Sequence, residues 1–302
     1  MATLKGQNFR ILTYENSEWK CIGMATNCVV TLTNNVDDTG TKDDVALAPK
    51  PNVTSKSWQV QVDSLNVADV AALLTAMKTF QKIHLKWDET VASNNQTADN
   101  ADYYREGDAY LNDATFSFNN RENSAKNLQF TGASPLEHYS SEPETTLVNP
   151  GAYTKGQFVR LFIRENLTDV TGKVIAAARQ LQMHVSLTLE DATTKDTEGD
   201  WTIQEPTQLS YDISTTALVS SGETITSQVP GKDLAAIEDI FEDGLPKPWF
   251  IANVNGANNR TKSSVICSGQ CIFTQVQISA QNRQTATYTA QMQGYGNYTV
   301  GS

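Results

Sequence analysis

Two acidic loops contain the residues whose types and spacing could hold a metal ion. The first, VDDTGTKDD, starts at Val36, and the second, LEDATTKDTEGDW, starts at Leu189. Calcium prefers oxygen ligands at alternating positions around a glycine turn, closed by a bidentate acid. The first loop has its carboxylates in adjacent pairs, and in the second loop Thr193 stands where the first has Gly40. We therefore favour a solvated or subunit-contacting loop over a calcium site. The candidate loop residues are Asp37, Asp38, Thr41, Lys42, Asp43, Glu190, Asp191, Thr194, Lys195, Asp196 and Trp201.

Zinc binding and nucleophilic catalysis find few suitable residues in this sequence. The cysteines are Cys21, Cys28, Cys267 and Cys271, and the histidines are His84, His138 and His184. A zinc site needs closely spaced pairs of such ligands, so we interpret the cysteines as buried thiols. His84 lies in KIHLKW, a strand-like run, and is interpreted as a packed or surface strand residue. Nucleophile-elbow, P-loop and dinucleotide-binding motifs are absent. We expect no catalytic residue, no cofactor and no metal.

Composition indicates a folded, acidic protein. The 302 residues are 39% hydrophobic and 19% charged, with a net charge of −11. A protein that binds nucleic acid through its phosphates needs clustered cations, which this balance disfavours. No apolar run reaches the length of a membrane span, and the N-terminus has no apolar export segment. The sequence thus predicts a protein that folds in a cytoplasm.

The sequence repeats itself across its two halves. FRILTYENSEWK begins at Phe9, and VRLFIRENLTDVTGK begins at Val159. Thr-Lys-Asp then recurs in the two loops, and Trp58 falls on Tyr211. Farther on, ADVAALLTAM matches KDLAAIEDIF, and NLQFTG matches TAQMQG. The same order of features in both halves predicts a tandem duplication.

A segment with three prolines separates the two copies. It reads SPLEHYSSEPETTLVNPGAY, a composition typical of a semi-extended linker. We place the first domain at residues 1–138, the linker at 139–151 and the second domain at 152–302.

Each copy is predicted to be mainly β with one helix, an α+β arrangement in the broad sense. Alternation of apolar and polar residues predicts strands at 9–14, 29–36, 58–62 and 109–118, and a hairpin with arms at 276–280 and 286–292. Helical spacing gives two apolar stripes, the second followed by Gly244 as a helix stop. The stripes are Val70, Leu73, Leu74, Met77 and Phe80 in copy one, and Leu234, Ile237, Ile240 and Phe241 in copy two.

The chain resembles the major tail tube proteins of tailed bacteriophages. The resemblance lies in WKCIGMAT, in the strand that leads to Thr-Lys-Asp, in the alternating strand and single helix that follow, and in LQFTG. It is clearest in LTLEDATTKDTEGDWTIQEPTQLSYDIS, from Leu187 to Ser214, and Ala48 of copy one stands where Trp201 aligns. The resemblance covers essentially both halves at the level of motifs.

What the resemblance implies is a structural protein without an active site. Such proteins stack as rings, and each domain gives a sheet of a β-sandwich or barrel to a continuous inner β-barrel, which removes exposed sheet edges. Single-domain members form hexameric rings, so a tandem pair implies a homotrimeric ring with pseudo-sixfold symmetry. The implied partners are further copies of the chain, other phage tail proteins, and double-stranded DNA that passes through the lumen without specific binding. The implied location is the virion tail, assembled in the bacterial host cytoplasm without a membrane.

The acidic balance suggests a hypothesis about the lumen. A wall poor in Lys and Arg forgoes the counterion release that would hold DNA in place, so we expect an electronegative lumen. The alternative explanation is that the negative charge only aids solubility.

Two other functions remain open at this point. A β-sandwich binding or adhesion module of a virion or bacterial surface would present clustered exposed aromatics, whereas the tryptophans are scattered along the chain. The inner tube of a phage-tail-like injection system would have a similar sequence and would pass protein. An enzyme of unrecognised type is disfavoured because no acid–base constellation is present. The tryptophans are Trp19, Trp58, Trp87, Trp201 and Trp249.

Overall fold

A computed structural model of the chain describes residues 6, 9–15, 18–22, 25–40, 50–65, 70–90, 98–138, 154–169, 172–175, 177–197, 199–219, 233–255 and 262–301. The fold is mainly β, as the alternation predicts. The predicted linker at 139–151 lies outside the described residues, and so do Thr41, Lys42 and Asp43 of the first loop.

The two halves contain the same elements in the same order. The first half contains β1 (Phe9–Glu15), β2 (Glu18–Cys21), β3 (Ala25–Asp38), β4 (Pro51–Ser64), α1 (Val70–Lys78), β5 (Ile83–Thr90), β6 (Ala98–Asn119) and β7 (Ala125–Gly132). A short strand, β8 (Glu137–His138), and a 3-10 turn, Gly156–Phe158, follow. The second half contains β9 (Val159–Ile163), β10 (Lys173–Val174), β11 (Ala178–Asp191), β12 (Gln204–Leu218), α2 (Leu234–Asp243), β13 (Lys247–Val254), β14 (Lys262–Ser279) and β15 (Thr287–Val300).

The strands pair in the same pattern in each half. In the first half β1 pairs with β2 and β5, and the sheet continues through β6, β7, β4 and β3. In the second half β9 pairs with β10 and β13, and the sheet continues through β14, β15, β12 and β11. All pairs are antiparallel, and β6 also pairs with β11, which joins the halves into one sheet.

Strand register is also the same in the two halves. Val60 lies opposite Val30 in β4 and β3, and Ile213 lies opposite Met183 in β12 and β11. The long strands β6 and β14 each have a register shift against the strand that follows them. The shift lies between Leu111 and Asp113 in β6 and between the equivalent residues, Phe273 and Gln275, in β14. Register is fixed by which residues face the core, so two unrelated sheets would have no reason to agree. We propose on this basis that the chain is a tandem duplication.

A large aromatic side chain lies beneath two glycines in each half. A Cβ added at Gly132 would come within 2.3 Å of Trp58, and one added at Gly294 would come within 2.5 Å of Tyr211. Each ring is also fixed by a hydrogen bond, because Trp58 Nε1 donates to the Ser134 carbonyl over 2.8 Å and Tyr211 Oη donates to the Gln270 carbonyl over 2.6 Å. Trp58 and Tyr211, which the sequence repeat aligns, therefore fill equivalent packing sites in the two halves.

Among the described residues each half has one α-helix, and α2 has a recognisable capping residue at each end. Asp233 accepts a hydrogen bond from the Ala236 amide over 3.0 Å at the start of α2, and Gly244 ends it with a left-handed backbone. The prediction that Phe80 belongs to the stripe of α1 is wrong, whereas Phe241 lies within α2 as predicted. Phe80 lies beyond the end of α1 with a positive φ of 54°, and both rings are exposed.

The main apolar core extends through both halves. Where the two halves meet, the hydroxyl of Tyr298 in β15 donates a hydrogen bond to the Leu74 carbonyl of α1 over 2.7 Å. Burial raises the pKa of Tyr298, so this hydroxyl stays protonated and able to donate. The second half thereby supports the helix of the first.

Candidate functional site

The first acidic loop uses its carboxylate to close a turn. Asp37 and Asp38 end β3, and Asp38 Oδ1 accepts from the Gly40 amide over 2.9 Å and from the Lys50 amide over 3.0 Å. These backbone hydrogen bonds lower the pKa of Asp38. The carboxylate is thus a local cap for the hairpin that β3 forms with β4.

The second acidic loop has the same arrangement. Asp191 Oδ1 accepts from the Thr193 amide over 2.9 Å and from the Thr193 hydroxyl. The pKa of Asp191 is lowered, chiefly by the hydroxyl and then by the amide. Thr193 Oγ1 in turn accepts from the Ile203 amide over 2.9 Å. Glu190, Thr194, Lys195 and Asp196 are exposed on this loop.

The second loop also contacts the first half of the chain. The Lys56 amide donates to the Asp200 carbonyl over 2.6 Å, and the Thr202 amide donates to the Lys56 carbonyl over 2.9 Å. Lys56 Nζ lies 3.3 Å from Asp200 Oδ2. Trp201 forms a parallel β-bridge with Lys56 and is half-buried. The structure thus brings Trp201 into a contact between the two halves of the chain, with Lys56 and Asp200, which sequence reasoning missed. No local signal could have paired them, because β4 and this loop are far apart in the chain.

A continuous polar face lies on the side of the sheet opposite the core. Its side chains alternate with apolar ones along eight strands, and most are Gln, Thr or Ser. The alternating apolar side chains are buried in the six central strands and partly exposed in β3 and the end of β14. Within the strand segments named here the charged residues are three aspartates and one histidine, with no Lys or Arg. The segments are 29–33 of β3, 59–63 of β4, 127–131 of β7, 113–117 of β6, 182–186 of β11, 210–216 of β12, 289–293 of β15 and 275–279 of β14.

Hydrogen bonds hold three of the four charged residues of the polar face, Asp63, Asp113 and His184. His184 Nε2 lies 2.7 Å from Asp113 Oδ2 across the β6–β11 junction, and its Nδ1 lies 3.9 Å from Asp212 Oδ2. Asp63 accepts from the Asn27 side chain over 3.2 Å and from the Asn127 side chain. The hydrogen bonds fix the carboxylates of Asp63 and Asp113 on the face. All three aspartates contribute a negative potential to it.

Three of the cysteines and His84 occupy structural positions, and the side chain of Cys21 lies outside the part of the chain that the structure describes. Cys28 is half-buried, Cys267 and Cys271 are buried, and none of these three forms a disulfide. Burial raises the pKa of Cys271 to about 12, and it raises that of Cys267 as well, so both thiols are inert. His84 Nδ1 lies 2.7 Å from Asp108 Oδ1 on neighbouring strands. Among the described residues, no group of three or more His, Cys, Asp or Glu side chains is placed to bind a metal, and no helix is long and apolar enough to cross a membrane.

Comparisons with known proteins return only solved structures. No family model matches the sequence, and no curated protein matches it. The chain is similar to the tail of an empty gene transfer agent particle, with a TM-score of 0.37 and 15% identity over 49% of this chain and 98% of that one. A native gene transfer agent virion gives a TM-score of 0.35 and 17% identity over 46% and 94%. The SPP1 tail tube gives a TM-score of 0.37 and 14% identity over 49% and 77%.

Proposed function

We propose that the chain is a virion structural protein that polymerises as stacked rings into a phage tail tube, the conduit through which DNA is ejected into the host. The observation that carries this proposal is the polar face of the sheet. It extends through both halves without interruption and has Asp63, Asp113 and Asp212 but no Lys or Arg in its strand segments.

Such a face suits a wall along which a polyanion must slide. Lys and Arg on the wall would release counterions from DNA and hold it, with an affinity that rises steeply with the number of contacts. Uncharged Gln, Thr and Ser hydrogen-bond to water, and the aspartates repel phosphate. A duplex surrounded by this face therefore has no strong site at which to stop.

Closure of the sheet supplies the hollow shape. β3 and the C-terminal part of β14 each have one edge that no described strand of this chain covers. Exposed strand edges are removed when a sheet closes on itself or through neighbours. With two repeats in each chain, three chains would give the six repeats of a pseudo-sixfold ring.

The two hairpin loops are our candidates for contacts with further subunits. The β3–β4 and β11–β12 hairpins each end in an acidic turn, and one of these turns already contacts the other repeat through Asp200 and Lys56. We propose that the described candidates from Asp37 to Trp201, together with Thr41, Lys42 and Asp43, contact neighbouring copies within and between rings.

The adhesion-module alternative loses its main requirement. Trp58, Trp87 and Trp249 are buried in the core, and Trp19 and Trp201 are half-buried. A clustered aromatic surface for a carbohydrate is therefore not formed by these five residues.

Negative-stain electron microscopy of the concentrated protein tests the proposal. We expect rings and hollow tubes whose lumen is wide enough for a DNA duplex. The charge of the lumen is read from the side chains that line it in a ring structure, and we expect it to be negative. Compact particles without a channel, or a lumen with net positive charge, would contradict it. A lumen that passes unfolded protein but excludes duplex DNA would favour the injection-device alternative.

A further inference from the structure

We infer that a second copy of this chain adds its β3 strand to the uncovered edge of β14, in the register already present where β11 meets β6 inside one chain. This inference rests on the proposed function, since it specifies how one ring subunit joins the next. The partner is a second copy of the chain, and the contact is antiparallel strand pairing over seven residues on each side.

The junction inside the chain provides the template. β11 pairs with β6 from Gln180 opposite Asn119 to Ser186 opposite Asp113. Its core side places Met183 opposite Phe116 and Val185 opposite Ala114, and these side chains are buried. The junction is thus an apolar seam on one face and a polar seam on the other.

Both strands of the template have a counterpart with an open edge. β3 corresponds to β11 and pairs only with β4 among the described strands. β14 corresponds to β6. The pairing of β13 with β14 extends only as far as Cys271, and the pairing of β5 with β6 extends only as far as the equivalent residue, Ala109. The stretch of β14 beyond Cys271 therefore has β15 on one side and no described strand of this chain on the other.

Transposing the template gives a specific register between two chains. The transposition needs only to know which residues are equivalent in the two halves. Val30 is equivalent to Met183, and Phe130 is equivalent to Met292. The register of β3–β4 and β4–β7, compared with that of β11–β12 and β12–β15, fixes both equivalences. The resulting pairs are Asn27 with Gln281, Cys28 with Ala280, Val29 with Ser279, Val30 with Ile278, Thr31 with Gln277, Leu32 with Val276, and Thr33 with Gln275.

The exposure of apolar side chains shows which surfaces lack a cover. Leu32 is 60% exposed, whereas its equivalent Val185 is 0% exposed. Ile278 is 50% exposed, whereas its equivalent Phe116 is 0% exposed. Removing apolar surface from water drives association, so these two side chains favour the same seam between chains that their equivalents form within one.

A helix adds independent support for the same contact. Met77 of α1 is 1% exposed, and α1 receives the Tyr298 hydrogen bond from the second half. The equivalent residue of α2, Phe241, is 42% exposed. The first half of a following chain would stand beside α2 as the second half stands beside α1, and it would cover this ring.

The polar side of the new seam differs from the template. Thr31 and Gln275 stand at the positions of His184 and Asp113, so the histidine–aspartate contact is replaced by uncharged residues. The difference distinguishes the junction inside the chain from the junction between chains. Because β14 has Gln275 where β6 has Asp113, pairing of β11 with β14 would leave His184 without its carboxylate partner. The difference therefore disfavours this wrong pairing.

Cysteine cross-linking tests the register in the full chain. Leu32→Cys and Val276→Cys in one chain would place thiols directly opposite each other across the seam, at a separation that a disulfide can bridge. The matched control combines Thr31→Cys with Val276→Cys, which places the thiols on opposite faces of the sheet. Each single variant is oxidised alone to measure any cross-link with the native cysteines, and circular dichroism verifies folding.

We expect the matched pair to give a ladder of reductant-sensitive oligomers under copper phenanthroline, at least ten times the yield of the control. A mixture of the two single variants should give a cross-linked dimer. Equal yields for the pair and control, or rings in the microscope without this cross-link, would overturn the inference and leave ring assembly intact. Cross-linked rings that never stack would support the seam and contradict the tube. A chain that stays monomeric would overturn both.

Discussion

At the scale of single residues, the acidic loops are explained by turn closure. Asp38 and Asp191 occupy equivalent positions, and each accepts a hydrogen bond from the amide two residues later. A carboxylate committed to backbone donors in this way fixes the loop without a bound ion. The sequence expectation of a solvated or contacting loop is compatible with this geometry and remains a prediction for the assembled protein.

Replacing Asp191 tests this role. We expect Asp191→Ala to loosen the 192–203 turn, because the Thr193 amide and hydroxyl lose their acceptor. The loss of stability should be below about 1 kcal/mol, since the carboxylate is exposed. Hydrogen exchange of the turn amides measures the effect. Asp191→Asn keeps an acceptor oxygen and serves as the control, and equal protection in both variants would contradict the assignment.

Acid should weaken the same turn. The pKa of Asp191 is lowered from its ordinary value of 3.8 in the folded chain. A lowered pKa means that the carboxylate stabilises the fold above pH 3.8 and that this contribution disappears as pH falls through the folded pKa. Hydrogen exchange of the turn between pH 5 and pH 2, measured on the parent and on Asp191→Asn, checks the direction. An acid response of the same size in both proteins would contradict it.

At the scale of elements, one packing site repeated twice sets the position of the strands. Gly132 and Gly294 leave the space that Trp58 and Tyr211 fill, so the strand behind each ring can approach the sheet closely. The same rings pack against Trp87 and Trp249, with centroids 5.8 Å and 5.7 Å apart. A change at either glycine should therefore affect the register of the central strands.

Gly294→Ala tests this packing. Its Cβ would overlap the Tyr211 ring, so we expect a loss of about 1–3 kcal/mol in the free energy of unfolding. Chemical denaturation measures it. Gly6→Ala is the control, because a Cβ at Gly6 meets nothing within 4 Å. Equal stability of the two variants would show that the ring has room to move.

Ile278→Lys tests the open edge of β14. The side chain is exposed in the single chain, so the fold should survive, while a cation in an apolar seam should block addition of the next chain. We expect monomers by light scattering at concentrations where the parent chain assembles. Leu167→Lys, at another exposed apolar residue, should leave assembly unchanged. Assembly of the Ile278 variant at the parent concentration would contradict the proposed seam.

Much of the element order could be predicted from the sequence, for a physical reason. Alternation reports which face of a strand is buried, and the repeat of Trp58 at Tyr211 preserves it across both halves. Alternation does not report which strand lies alongside, so the β6–β11 pairing and the Lys56–Asp200 contact were not predicted. The stripe of α1 was predicted to reach Phe80, which lies beyond the end of the helix, and the rings of Phe80 and Phe241 are both exposed. Periodicity gives the direction of a side chain and not whether another element covers it.

At the scale of the whole molecule, the account depends on a sheet that is apolar behind and polar in front. The polar front has the composition of a surface that must stay wet and must not retain a polyanion. The two halves make this front continuous within one chain, and the proposed seam would continue it into the next.

New cations on the polar face should change DNA passage without changing assembly. We expect tubes of the double variant Gln61→Lys and Gln291→Lys to retain short duplex DNA at low salt, and to release it as salt rises. Fluorescence anisotropy of labelled duplex measures retention. Tubes with Glu at both positions are the control and should not retain it. Equal behaviour of the two double variants would indicate that this face does not line the lumen.

The number of chains in a ring tests the central claim most directly. Native mass spectrometry of rings, combined with class averages of their end views, gives the mass and the number of repeats around the channel. The account predicts three times the 33.1 kDa mass of one chain, with six similar repeats around an open pore. A mass of one chain at every concentration, or a closed particle without a pore, would contradict it.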